Sequence, residues 1–149
     1  MVTFVPWPHV RSHLSSMWEG PMRLRVAAAE DQPRLLQTIA CILAREFEVI
    51  ATFQQGRSLL HFVCEEEPDV AVVDLGLPDM NGLEIIRTIK KRGIGTKIVI
   101  CSVERDPDLI AAALEAGAAC YVWKERIASE LNEAVKLAST GQQFISLPR

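Results

Sequence analysis

No apolar run in this 149-residue chain approaches the roughly 20 residues of a membrane span. The first 21 residues, MVTFVPWPHVRSHLSSMWEGP, hold no continuous apolar stretch, so they do not read as a secretory signal. Charge of one sign is not in excess. Sixteen basic against 19 acidic residues leave a net −3, which gives no general reason to expect nucleic-acid binding. The four cysteines, Cys41, Cys64, Cys101 and Cys120, lack metal-ligand spacing. Each sits among apolar neighbours, as buried small hydrophobes do in a reducing, cytoplasmic setting. A Gly-rich phosphate loop is missing after the first apolar run. Glu30-Asp31-Gln32-Pro33 stands there and would repel phosphate without a metal, which argues against a nucleotide- or flavin-binding module.

What remains has the composition of an ordinary soluble protein, with 49% apolar and 23% charged residues, and the length of one domain with a real core. Residues 1–21 stand apart from the pattern that follows. Pro6, Pro8, Gly20 and Pro21 interrupt any regular element. His9 and His13 lie four apart, but nothing nearby completes a metal site, so they read as solvated. Phe4, Trp7 and Trp18 either dock on the domain or a partner, or belong to a disordered extension. Met22 stands directly before the first strand, as a second possible translation start.

From Met22 strands and helices alternate. Short apolar runs at Leu24 to Ala29, Phe47 to Ala51, Val70 to Asp74, Lys97 to Cys101 and Ala119 to Trp123 predict five buried strands. Helical spacing of apolar residues predicts helices from Pro33, over Gly56 to Cys64, Gly82 to Arg92, Pro107 to Ala116 and Ile127 to Ser139. Asp31 is placed to cap the first helix, and Gly117 and Gly141 to end later ones. Five strands alternating with five helices imply an α/β, doubly wound, parallel sheet. The flavodoxin-like order 2-1-3-4-5 is the common solution at this size.

In such a sheet the chemistry sits at the carboxyl ends of the strands. Strand one delivers Glu30 and Asp31 there, strand three Asp74, strand four Ser102 and strand five Lys124. Any one could be a cap, a strand end or a solvated charge. Their joint arrival at one rim is harder to dismiss. Three crowded carboxylates repel, and a hard divalent cation such as Mg²⁺ resolves the repulsion. A carboxylate beside that ion can attack phosphorus. Ser102 and Lys124 can then meet the phosphoryl oxygens.

The acidic pair Glu30-Asp31, the segment DLGLPDMNG, Ser102 and the lysine of YVWK fall in order on the right strands. Together they resemble the receiver domain of bacterial two-component response regulators. The likeness covers residues 22–146, leaving 147–149 as a tail. It implies that Asp74 is the phosphoacceptor for a sensor histidine kinase. It also implies that Asp31, Glu30, Asp74 and the Gly76 carbonyl hold Mg²⁺, and that Ser102 and Lys124 bind the phosphoryl group. Tyr121 matches the aromatic whose rotamer reports phosphorylation. Phosphorylation is then expected to draw Ser102 in and turn Tyr121 inward behind it. The second half, ALEAGAACYVWK and LNEAVKLASTGQQFIS, is similar to the NarL/FixJ branch, which usually carries a helix-turn-helix output domain. The chain stops where a linker would begin. It is therefore expected to be a single-domain regulator or the receiver part of something longer, without DNA contacts of its own.

Two positions depart from the family pattern: Glu125 replaces the usual proline, and Trp123 is larger than the expected aliphatic residue. Residues Pro107 to Ser139 are expected to form a regulated surface for a homodimer or a downstream protein. On an edge strand there, Tyr121 and Trp123 either make contacts or pack beneath the next helix. An aspartate-nucleophile phosphatase would need a second acid two residues after Asp74, where Gly76 stands. A receiver fold working without phosphorylation is the remaining alternative.

Overall fold

The computed structural model describes residues 23–148. The expectations for residues 1–21 and Met22 lie outside the described residues, as does Arg149. The elements run β1 (Arg25–Ala29), α1 (Pro33–Ala44), β2 (Glu48–Phe53), α2 (Gly56–Glu66), β3 (Val70–Val73), α3 (Gly82–Lys91), β4 (Lys97–Ser102), α4 (Pro107–Ala116), β5 (Cys120–Trp123), α5 (Ile127–Ser139) and β6 (Phe144–Ile145). A 3₁₀ turn, Lys124–Arg126, joins β5 to α5.

All strands pair in parallel, in the order β2-β1-β3-β4-β5-β6. The first five follow the predicted order. The sixth is an addition: Phe144 and Ile145 pair with Cys120 and Tyr121. Two residues are too few to show a strand period. Gly141, at φ +81°, turns the chain out of α5 so that this pairing is possible.

β1, β3 and β5 are buried along their whole length because helices cover both faces of the sheet. One face buries Leu59 and Val63 of α2 and Ile85, Ile86 and Ile89 of α3. The other buries Ile39 and Leu43 of α1 and Leu131, Ala134 and Val135 of α5. The central strand β3, VAVV, lies between β1 and β4. The position of Asp74, the next residue, is therefore set by the core.

Local sequence explains the helix starts, with one change. Asn81 caps α3 by accepting from the Leu83 amide at 2.8 Å, and Asp106 caps α4 by accepting from Asp108 at 2.9 Å. Asp31 does not cap α1. Gln32 holds that position without a side-chain cap, and Pro33 at the helix start lacks an N–H to satisfy. Asp31 is left available to the rim.

Candidate functional site

The rim gathers the predicted residues. Glu30 and Asp74 are buried, Asp31 is half-buried, and one carboxylate oxygen from each lies within 4.8 Å of the others. Lys124 reaches back from the 3₁₀ turn into this group. Its Nζ stands 2.7 Å from Glu30 Oε1 and donates to Asp74 Oδ2 at 3.2 Å. The Glu30 contact is a charge contact, not an aligned hydrogen bond. The other Glu30 oxygen, Oε2, accepts from the Gln32 amide at 3.0 Å. Asp74 Oδ1 accepts from the Gly76 amide at 3.1 Å.

Burial pushes the Glu30 carboxyl above the ordinary range. The Lys124 ammonium and the Gln32 amide pull it back, while Asp31 and Asp74 push it further up. Burial also works against the Lys124 ammonium, but Glu30 and Asp74 outweigh it and hold its pKa above normal. Three carboxylates against one ammonium leave about two negative charges in a small space. That donor set, all oxygen and doubly negative, fits a hard divalent ion such as Mg²⁺.

A cleft of about 450 Å³ opens over the group, lined by Asp31, Asp74, Gly76, Ser102 and Lys124. Val103 and Leu109 also line it, and Val103 is exposed. Ser102 ends β4, is buried, and accepts the Glu104 amide at 3.1 Å. Tyr121 is fully buried and donates its hydroxyl to the Glu104 carbonyl at 2.8 Å. The ring stands inside the core, where the Glu104 carbonyl gives its hydroxyl a partner.

One further expectation changes, and of the two readings of Tyr121 and Trp123 the structure favours packing. β5 is not an edge strand, since β6 covers it. Tyr121 and Trp123 are both buried and offer no docking face. Trp123 carries two guanidinium groups over its ring: Arg105 sits 4.0 Å and Arg126 4.7 Å from its centroid. Arg105 also pairs with Glu125. The two departures from the family pattern, Trp123 and Glu125, are thus partners through Arg105. Sequence reasoning missed Arg105 and Arg126, because neither lies at a motif spacing from Trp123.

A family model described as the response regulator receiver domain matches residues 26–136. The chain belongs to that family. The receiver domain resembles transcriptional regulatory protein DegU of Brevibacillus brevis, with 30% identity over 125 residues, 83% of this chain and 53% of the relative. It also resembles DesR of Bacillus subtilis, with 30% identity over 123 residues, 81% of this chain and 61% of the relative. The chain thus spans little more than half the length of these curated relatives. Among solved structures, a two-component response regulator of the LuxR family from Aurantimonas sp. SI85-9A1 superposes with TM-score 0.79 at 26% identity, covering 83% of this chain and 90% of that one. The signal receiver domain of the putative response regulator NarL from Mycobacterium tuberculosis gives the same TM-score at 24% identity, covering 82% and 100%, a likeness of fold. No described helix is long and apolar enough to cross a membrane.

Proposed function

We propose that this receiver domain accepts a phosphoryl group on Asp74 from a sensor histidine kinase. The observation that carries the reading is the meeting of Asp74, Asp31 and Lys124 in one open cleft, with the buried Glu30 against them. Glu30, Asp31, Asp74 and the Gly76 carbonyl are the groups that would hold Mg²⁺. When bound, the ion neutralises carboxylate charge and draws phosphate oxygens into the cleft. The reacting group is the Asp74 carboxylate, half fixed by the Gly76 amide. One of its oxygens bonds to phosphorus as the P–N bond to the donor imidazole breaks, and the electron pair leaves with the imidazole. Lys124 is already within reach to pair with the new phosphoryl oxygens, and the Ser102 hydroxyl can donate to another.

The response is proposed to travel through the loop between β4 and α4. Ser102 holds the Glu104 amide, Tyr121 holds its carbonyl, and Trp123 holds Arg105 next to it. A Ser102 hydroxyl recruited to phosphate changes the first of these contacts and biases the loop. The loop, with the Tyr121 ring bonded to it, is then the element that moves. The output is a homodimer or a downstream protein contact. The matched relatives are transcriptional regulatory proteins by name, and any DNA contact is assigned to the part of them that this chain does not match.

Incubation with acetyl phosphate and Mg²⁺, followed by intact mass measurement, tests the reading. The wild type should gain one phosphoryl mass and Asp74→Asn none. A wild type that gains no mass, or a variant that gains it equally, refutes the assignment.

A further inference from the structure

The loop from Asp74 to α3 carries Gly76; Leu77 in its middle is buried in the core, and one side chain supplies its hydrogen bonds to a neighbouring element. Among the described residues, no backbone amide from Leu77 to Asn81 donates to a backbone carbonyl. Asp79 supplies the missing tether by reaching a different element. Its Oδ1 accepts from the Gly56 amide at 2.7 Å and its Oδ2 from the Arg57 amide at 3.0 Å. These are the first two amides of α2, whose own flanking residue, Gln55, makes no side-chain cap. One carboxylate therefore caps a helix more than twenty residues earlier in the chain. The amide bonds, that of Arg57 first, hold the Asp79 carboxyl below the usual range.

The fit around this contact is close. A Cβ on Gly56 would stand 2.9 Å from Ile85 Cδ1, 3.2 Å from Met80 Cβ and 3.3 Å from Leu77 Cδ1. Leu77 and Met80 flank Asp79 in the loop, so the loop lies directly over the helix start. At the near end, Gly76 touches Asp74 through its amide, and the Gly82 amide donates to the Leu75 carbonyl at 3.1 Å. The geometry points to Asp79 as a positioning residue. It clasps the acceptor loop onto α2 and so fixes where the Gly76 backbone stands relative to Asp74. This rests on the reading of Asp74 as an Mg²⁺-assisted acceptor.

A residue that only caps α2 and a residue that positions the loop are separable. Asp79→Ala removes both roles. Adding Gln55→Asp gives α2 a cap from its own flanking position without reattaching the loop. Thermal unfolding should show the double variant recovering most of the stability that Asp79→Ala loses. Calorimetric Mg²⁺ titration should still show affinity about tenfold below wild type, the low end for groups that orient metal ligands. Labelling by acetyl phosphate, in which the P–O bond breaks and acetate leaves, should slow in parallel. A double variant that binds Mg²⁺ within about threefold of wild type overturns the clasp and leaves the site reading intact. A wild type that binds no Mg²⁺ overturns the site reading, and the clasp with it.

Discussion

Replacing Lys124 with methionine keeps most of the apolar stem and removes the ammonium. The structure sets the size of the effect. At an effective dielectric of about 20, contacts of 2.7 and 3.2 Å correspond to roughly 6 and 5 kcal/mol of Coulomb attraction. Much of this offsets the desolvation of the three groups. Removing one partner of a buried ion pair costs about 3–5 kcal/mol, because the remaining charges stay buried. Lys124 is 14% exposed and Glu30 1%, so water relieves the lysine side only and the low end, about 3 kcal/mol, applies. For a domain of this size that lowers Tm by roughly 10 °C. Mg²⁺ should return part of the loss by taking the ammonium's place, about 1.4 kcal/mol at tenfold over its Kd. Scanning calorimetry in chelator and in excess Mg²⁺ measures both effects. Wild type should gain less at the same Mg²⁺ concentration, because Lys124 already offsets carboxylate charge and lowers its Mg²⁺ affinity. A Lys124→Met protein melting within about 2 °C of wild type in chelator would refute this assignment.

Asp31→Asn should weaken Mg²⁺ binding by at least about tenfold in a calorimetric titration, with little change in Tm, because Asp31 is half-buried and caps nothing. Tyr121→Phe loses the hydrogen bond to the Glu104 carbonyl and should cost about 1 kcal/mol in chemical unfolding. It should also shift the Glu104 and Arg105 amide signals in NMR spectra of the unphosphorylated protein. Burial pushes the Cys101 thiol up to about 12 and the Cys120 thiol up to about 11, from 9.0. In the folded state these thiols stay protonated while the unfolded chain ionises, so their contribution is intact below pH 9. It falls by about 1.4 kcal/mol per pH unit for each thiol as pH rises toward those values. Chemical unfolding of Cys120→Ala should show a shallower alkaline decline than wild type, and an equal slope would discount the burial of that thiol.

The sequence carried what repeats or alternates. The apolar runs located β1 to β5, and the polar residue after each of four runs located Glu30, Asp31, Asp74, Ser102 and Lys124. Contacts made by one side chain across the fold left no such trace. Asp79 sits inside a turn-rich motif and looks like a local turn former, yet it serves α2. Asp31 has the chemistry of a helix cap and the right distance from Pro33, but Gln32 takes the capping position and the carboxylate goes to the rim. Trp123 was visible as oversized, but not that Arg105 and Arg126 would close over it. That required the β4–α4 loop and the 3₁₀ turn to meet, and neither has a periodic pattern.

β6 has a consequence for where the folded unit stops. The family match ends at residue 136, inside α5, whereas the sheet continues through Ile145. Beyond it, the Ser146 hydroxyl still accepts the Trp123 amide at 3.1 Å, and the Arg126 guanidinium donates to the Leu147 carbonyl. An open strand edge is a template on which other chains add by hydrogen bonding, toward aggregates. Without residues 144–147, β5 would present such an edge, with the Trp123 amide unpaired. A strand of two residues blunts that template while offering almost none of its own, so the last described residues guard the β5 side of the sheet, and β2 forms the other edge.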